Sequence, residues 1–262
     1  MSAVPNLARR MRIGAAFAAA REYDQHARIQ HKVALGLAER IAALPLPPAA
    51  RVLEIGCGTG FLTAELVRRQ IGARLLVTDL APAMIDRCRL RVGEGKGRSF
   101  RKLDGEHGEQ PDEAPFDLIV SSLAFQWFDD LPAALARLAG WLAPGGTLAF
   151  TTLVAGTFAE WQEAHAAQGL AAGTPPFPPF DAVTQMVPPG TAAQITRQTW
   201  PEPQGSARAF LHALKAIGAG TAAAGHQPLP PGALRQVMAR FEAQGAVASY
   251  EVATCLLRKE VP

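Results

Sequence analysis

Three acids in this chain stand where short apolar runs end: Glu54 in "RVLEI", Asp79 in "RLLVTD" and Asp104 in "RKLDGE". The first is followed at once by Gly56-Cys57-Gly58-Thr59-Gly60, three glycines in five residues. Residues of these types at this spacing bind a ligand rather than break a bond. Glycines let backbone approach a ligand closely, and a helix opening after the turn offers unpaired N–H groups to an anion. Asp79 falls nineteen residues past Gly60, the distance at which an acid accepts hydrogen bonds from two ribose hydroxyls. Asp104, with Gly105 behind it, is placed one strand further for an adenine amino group. Each feature has a bland use as well, since G-x-G-x-G makes a tight turn and a strand-end Asp caps a helix. Their order and spacing together point to a nucleoside ligand.

The elements that must position these residues are legible as an alternation. Apolar runs "RVLEI", "RLLVTD", "SFRKLD", "FDLIVSS" and "GGTLAFTTL" are separated by helical patterns at Thr59 to Gln70, Pro82 to Val92 and Asp130 to Leu142. Continuous rather than alternating apolar strands, each followed by a helix, predict a doubly wound α/β sheet covered on both faces. Ligands of such sheets bind at the carboxyl ends of the strands. The prolines of Gly173 to Gly190, "GTPPFPPFDAVTQMVPPG", predict an irregular cover through which neither helix nor central strand runs. Beyond it the sequence predicts a strand at "AAQITRQTW", helices near Ser206 to Ile217 and Pro231 to Gln244, and a final strand in "AVASYEVATCLLRK". The expected organisation is a helical cap over residues 1–50, a ligand-binding core over 51–153 and a substrate-side cover over 154–262 that completes the same sheet.

Composition bounds the rest. The 262 residues, 48% of them hydrophobic, suffice for a full core. A formal charge of +3 does not demand nucleic acid as partner. Cys57, Cys88 and Cys255 are odd in number and form no C-x-x-C pair, which reads as free thiols in a reducing, cytoplasmic setting with no metal site. The segment "NLARRMRIGAAFAAAREYDQHA" has the basic start of a leader, but Arg21, Glu22 and Asp24 occupy the cleavage region, so an amphipathic helix packed on the domain is expected. No run approaches the ~18 apolar residues of a membrane span.

G-x-G-x-G differs from the dinucleotide pattern G-x-G-x-x-G, and a pyrophosphate would be poorly served by Glu54. A ligand with a positive amine or sulfonium fits better, which describes S-adenosylmethionine. The segments "VLEIGCGTG", "VTDLAPAMI", "LDGE", "FDLIVSSLAFQWFDDL" and "LAPGGTLAFTTL" are similar to successive motifs of the class I S-adenosylmethionine-dependent methyltransferases. Outside them, "FAAAREYDQHARIQ", "SLAFQW", "FTTLVAGTF", "LKAIGA" and "SYEVATCLLRK" resemble the malonyl-[acyl-carrier protein] O-methyltransferase family, which caps a malonyl carboxylate at the start of biotin synthesis.

That resemblance implies a seven-stranded sheet of order 3-2-1-4-5-7-6 with strand 7 antiparallel. It implies cofactor contacts at Glu54, Gly56, Gly58, Asp79, Asp104 and Gly105, extended along the same motifs to Cys57, Gly60, Leu80, Met84, Glu106, Ser121 and Leu123. Its partner is an acyl-carrier protein bearing a malonyl group, or malonyl-coenzyme A, with no nucleic acid or membrane. Carboxylate methylation needs no general base, because the nucleophile is already ionised at neutral pH; the missing Ser-His-Asp or Cys-His set is what such a reaction predicts. A cation could orient the substrate carboxylate. Lys215 leads, with His212 and Arg208 on the same helix; His212 departs from the family, where Arg can occur. Gln126 is read as facing the transferred methyl, whereas Trp127 either walls the pocket or packs the strand–helix junction. Tyr23 either lines the pocket or anchors its helix. The basic run Arg87 to Lys102, seven Lys or Arg against one acid, is either a solvated face or, with Arg9, Arg10 and Arg12, a surface for an acidic carrier. Two other readings share "FQW": a methyltransferase of free polycarboxylates such as trans-aconitate, and a hydroxylase or assembly factor on the same fold.

Overall fold

A computed structural model describes residues 14, 15, 17, 22–217 and 227–261; Arg9, Arg10 and Arg12 lie outside the described residues. Helices α1 (Tyr23–His26) and α2 (Arg28–Ala42) lead into strand β1 (Arg51–Ile55). Then α3 (Phe61–Arg68), β2 (Arg74–Asp79), α4 (Pro82–Val92), β3 (Arg98–Lys102) and β4 (Phe116–Ser122) follow. After a short 3-10 turn at Phe125–Trp127 come α5 (Leu131–Gly140) and β5 (Leu142–Leu153). The remainder is α6 (Ala159–Ala166), α7 (Phe180–Gln185), β6 (Thr191–Pro203), α8 (Ala207–Ala216), α9 (Pro231–Ala243) and β7 (Val247–Lys259).

The strands form one sheet in the order β3-β2-β1-β4-β5-β7-β6, with β7 antiparallel to both its neighbours. The expected topology is therefore the observed one. Its physical basis is the two-residue side-chain period. Val52, Leu118 and Val120 pack under α2, α3 and α4 with Leu37, Leu66 and Cys88. Their neighbours Leu53 and Ile119 point the other way, onto α5 with Leu135 and Leu138. Both faces are covered, so the strands can be apolar throughout. A third cluster joins α6, α8 and α9 to β7 through Trp161, Phe210, Phe241 and Tyr250.

One expectation is corrected. The proline-rich segment does hold a helix, α7, because Asp181 to Met186 is free of proline and Pro179 sits at the N-cap, where a missing N–H costs nothing. Helix α6 was not foreshadowed; it buries only Trp161, Ala164 and His165, too few to set up an apolar period. Pro201 and Pro203 are tolerated in β6 because that strand is the sheet's edge. None of the helices among the described residues is long and apolar enough to cross a membrane.

Candidate active site

The carboxyl ends of β1, β2 and β4, together with the loop after β3, open onto one cavity. Glu54, Gly56, Cys57, Gly58, Asp79, Leu80, Met84, Asp104, Gly105, Glu106 and Leu123 line it, with Tyr23 reaching in from α1. The loop glycines have separate reasons. Gly58, at φ +53°, has open space where a side chain would be, on the cavity side. Gly60, at φ +92°, does not line the cavity; a Cβ there would meet Cys88 Sγ at 2.8 Å, so glycine lets α3 pack on α4. Ser121 is fully buried inside β4, and the cavity-lining serine is its neighbour Ser122.

Asp79 holds the loop in shape. Its Oδ2 accepts from the Gly58 N–H at 2.9 Å and its Oδ1 from the Ala81 N–H at 2.8 Å. Burial raises its carboxyl, and these backbone N–H groups pull the other way. Glu54 is 1% exposed, and its Oε2 accepts from Thr63 Oγ1 at 2.7 Å. Burial lifts the Glu54 carboxyl well above the ordinary carboxylate range, with Cys88 nearby adding to the effect. Asp104 Oδ1 accepts from the N–H groups of Glu106 (2.9 Å) and His107 (3.1 Å), which fixes the turn after β3. Glu106 Oε1 in turn accepts from Asp129 N and Asp130 N, both at 2.7 Å, and so ties that turn to the entry of α5. A hydrogen bond to Cys88, together with burial, keeps the Cys57 thiol well above its usual range, so it is a neutral wall atom rather than a nucleophile.

Aromatic rings make up much of the remaining lining: Phe17, Tyr23, Phe61, Trp127 and Phe128. Phe17 lies edge-on to Trp127 at 5.6 Å between centroids. Tyr23 and Trp127 thus both reach the cavity. Burial, followed by the nearby Asp79, raises the Tyr23 phenol far above its usual value, so it stays a neutral donor. Gln126 is turned aside and does not line the cavity; its Nε2 donates to Leu123 O at 2.6 Å. Leu123 itself sits at φ +49° at the exit of β4, a strained conformation of a kind concentrated at functional sites. Among the described residues lining this cavity none is Lys, Arg or His. Lys215 is exposed on α8, and His212 lines a second cavity with Arg28, Arg208, Ser206 and Tyr250. Gln30 of α2 also lines the main cavity, a contact that no sequence pattern announced.

S-adenosylmethionine fits these residues. Ser122 Oγ lines the cavity and is buried without a hydrogen-bond partner in the protein, as expected of an atom that a polar ligand satisfies. Glu54, Asp79 and Asp104 line the same space, which suits a ligand carrying an amine, a sulfonium and hydroxyl donors. Helix α1 closes this end through Asp24, which accepts from Thr59 Oγ1 at 2.6 Å and from Arg91. Arg91 also donates to Thr59 O at 2.7 Å. Asp24 is 51% exposed, so the latch is worth about 1 kcal/mol at most. Asp24→Ala should weaken S-adenosylmethionine binding no more than about fivefold, as measured by isothermal titration.

Several members of the basic run have partners within the chain. Arg89 pairs with Glu94 at 3.1 Å, Arg101 with Glu113 at 2.8 Å, and Arg98 donates to Val92 O at 2.7 Å.

Comparison with known proteins agrees with this geometry. A family model described as a methyltransferase domain matches residues 53–148. The malonyl-[acyl-carrier protein] O-methyltransferase of Magnetococcus marinus is 39% identical over 244 residues, covering 92% of this chain and 90% of that protein. The biotin biosynthesis bifunctional protein BioCD of Bordetella avium is 45% identical over 242 residues, 92% of this chain; the chain spans 51% of that longer protein. Among solved structures, the YcgJ protein of Bacillus subtilis superposes with a TM-score of 0.60 at 16% identity, over 87% of this chain and 99% of that one. The N-methyltransferase NodS of Bradyrhizobium japonicum, in complex with S-adenosyl-L-homocysteine, has a TM-score of 0.50 at 19% identity, over 89% and 87%. At such identities these structures speak for the fold.

Proposed function

The chain belongs to the malonyl-[acyl-carrier protein] O-methyltransferase family, and from that premise we propose that it esterifies the free carboxylate of a malonyl thioester, carried on acyl-carrier protein, early in biotin synthesis. The single observation that carries the reading is the cavity itself. Its described lining brings Glu54, Asp79, Asp104, Glu106 and the glycine loop together with the rings of Phe17, Phe61, Trp127 and Phe128 and the neutral phenol of Tyr23.

S-adenosylmethionine supplies the electrophilic methyl when bound. Glu54, Asp79, Asp104, Ser122 and the Gly58 turn would hold it. The substrate carboxylate is ionised at neutral pH, so the protein has no proton to remove. Its work is to position the carboxylate in line with the methyl and to exclude water, which together can contribute about 7–11 kcal/mol. Tyr23, kept protonated by burial, would donate to one carboxylate oxygen and leave the other to attack. Phe17, Trp127 and Phe128 would exclude water around the transfer. Gln126, which bonds Leu123 O, would act by fixing the strained exit of β4, where Leu123 lines the cavity.

The carrier requires a different surface. Arg208 and Lys215 are exposed on α8, beside the second cavity, and are assigned to the acidic carrier rather than to the carboxylate. Replacing both with Glu should lower kcat/KM for malonyl-carrier protein about tenfold at low salt, with the loss shrinking as salt screens the encounter. Turnover of malonyl-coenzyme A should move far less. Equal losses for both substrates would remove the assignment.

The reaction is tested by transfer of labelled methyl from S-adenosylmethionine to malonyl-carrier protein, with malonyl-coenzyme A, free malonate and trans-aconitate alongside and the ester identified by mass. Ester on the malonyl thioester and none on the free acids supports the proposal. Label on trans-aconitate alone would move the enzyme to free polycarboxylates.

A further inference from the structure

One cluster of metal-ligating side chains stands outside the pocket among the described residues: Glu22, His26 and His212. Glu22 precedes α1 and His26 ends it, four residues apart, so both fall on one face. His212 comes from the second turn of α8, whose axis packs against α1. His26 Nε2 lies 3.9 Å and His212 Nε2 4.0 Å from Glu22 Oε2. The two imidazole rings are 5.0 Å apart between centroids. Each of the three residues offers a ligand atom within 4.8 Å of the other two.

These distances are too long for hydrogen bonds, and they surround a point where an ion would sit. Metal–ligand bonds of about 2.0–2.2 Å in a tetrahedron place ligand atoms roughly 3.3–3.5 Å apart. The two gaps to Glu22 therefore need to close by about half an ångström, and that between the imidazole nitrogens, within 4.8 Å of each other, by up to about 1.5 Å, within reach of side chains that are 56%, 27% and 60% exposed in chain order. Two imidazoles and one carboxylate suit Zn2+, or Ni2+ and Cu2+, rather than Mg2+ or Ca2+, which take oxygen ligands. Two neighbouring cations, Arg28 and Lys32, are held by Glu202 at 3.2 and 3.3 Å, while Arg208, one turn before His212, lines the same second cavity.

We propose that Glu22, His26 and His212 form a three-ligand site for a divalent transition metal, with a fourth position left to water, that clamps α1 to α8. The clamp has a purpose in the fold. Helix α1 is a single turn in which no residue is buried as a whole, yet it delivers the Tyr23 phenol to the cavity and Asp24 to the glycine loop. Apart from the Tyr23 ring against Phe17 and Phe61 its side chains are exposed or half-exposed, so a metal bridge to α8 would fix it at little structural cost. The site stands on this geometry alone and does not depend on which substrate the enzyme takes.

The test uses the full chain freed of metal with a chelator and titrated with Zn2+ by calorimetry and by thermal denaturation. One equivalent should bind with micromolar or tighter affinity and raise the Tm, and Mg2+ should do neither. His26→Ala and His212→Ala should each weaken binding at least about tenfold and remove the Tm increase. His212→Cys should retain both, since thiolate is also a zinc ligand. Co2+ loaded in place of Zn2+ should show the visible absorption of a tetrahedral site, lost in His212→Ala. Circular dichroism and S-adenosylmethionine binding establish that the variants are folded. Absence of saturable Zn2+ binding overturns the proposal. So does one-to-one binding that survives both alanine substitutions, which would place the ion on the cysteines or another histidine.

Discussion

Asp79→Ala is expected to weaken S-adenosylmethionine binding by about 100-fold or more in isothermal titration. The carboxylate is the shared acceptor of two backbone N–H groups, Gly58 at 2.9 Å and Ala81 at 2.8 Å. An N–H left buried without a partner costs about 1–3 kcal/mol, and every 1.4 kcal/mol is tenfold in affinity. Two such groups, before any contact with the ligand's ribose is counted, give about 2–6 kcal/mol, part of it as lower stability of the free protein. Asp79→Asn separates the contributions. Its amide oxygen can keep one N–H, while its NH2 faces the other donor, so an intermediate loss of about tenfold is expected. Binding of Asp79→Ala within threefold of the unmodified protein would mean that neither the loop geometry nor this acid holds the cofactor.

That double duty explains which parts of the site could be read from the sequence. The alternation of apolar runs and helices predicted the sheet because both faces are covered, and the burial pattern follows directly from strand parity. The glycine loop, Asp79 and Asp104 were legible because a strand end followed by a turn has few uses and their spacing is set by the fold. The residues that complete the pocket from elsewhere were harder. Gln30 reaches it from α2 and Phe17 from the chain ahead of α1, tertiary placements with no local period. Gln126 and Trp127 are adjacent in sequence, yet only Trp127 lines the cavity, because the 3-10 turn that holds both points Gln126 back at Leu123. Lys215 is singled out by its charge and by a helix that follows the proline-rich cover. Sequence shows that such a residue is polar, but not whether its helix face looks into a pocket or out to solvent.

The acid that opens the glycine loop gives the second large effect. Glu54 is buried, and its carboxyl is raised well above the ordinary range by desolvation. A protonated carboxyl poised at the site of a cationic ligand ionises when that ligand arrives, so cofactor binding should release protons. Affinity should rise with pH until the free protein's Glu54 is itself ionised. Glu54→Gln keeps an oxygen to accept from Thr63 Oγ1, now 2.7 Å from Oε2, and removes the charge. The hydrogen bond to a charged partner that it forfeits is worth about 1.5–3 kcal/mol, so a roughly 10- to 100-fold loss of S-adenosylmethionine affinity is expected, with less proton release when titrations are compared in buffers of different ionisation enthalpy. Stability of the free protein should move in the opposite sense. A raised carboxyl means that the folded chain holds a proton that the unfolded chain gives up, so stability falls as pH rises from the ordinary carboxylate range toward the folded value. Glu54→Gln removes that slope, and urea denaturation across this pH range should find the variant gaining on the unmodified protein as pH increases. A variant that binds the cofactor as tightly as the unmodified protein, with unchanged proton release, would show that Glu54 only braces Thr63 and that the positive end of the ligand is met elsewhere.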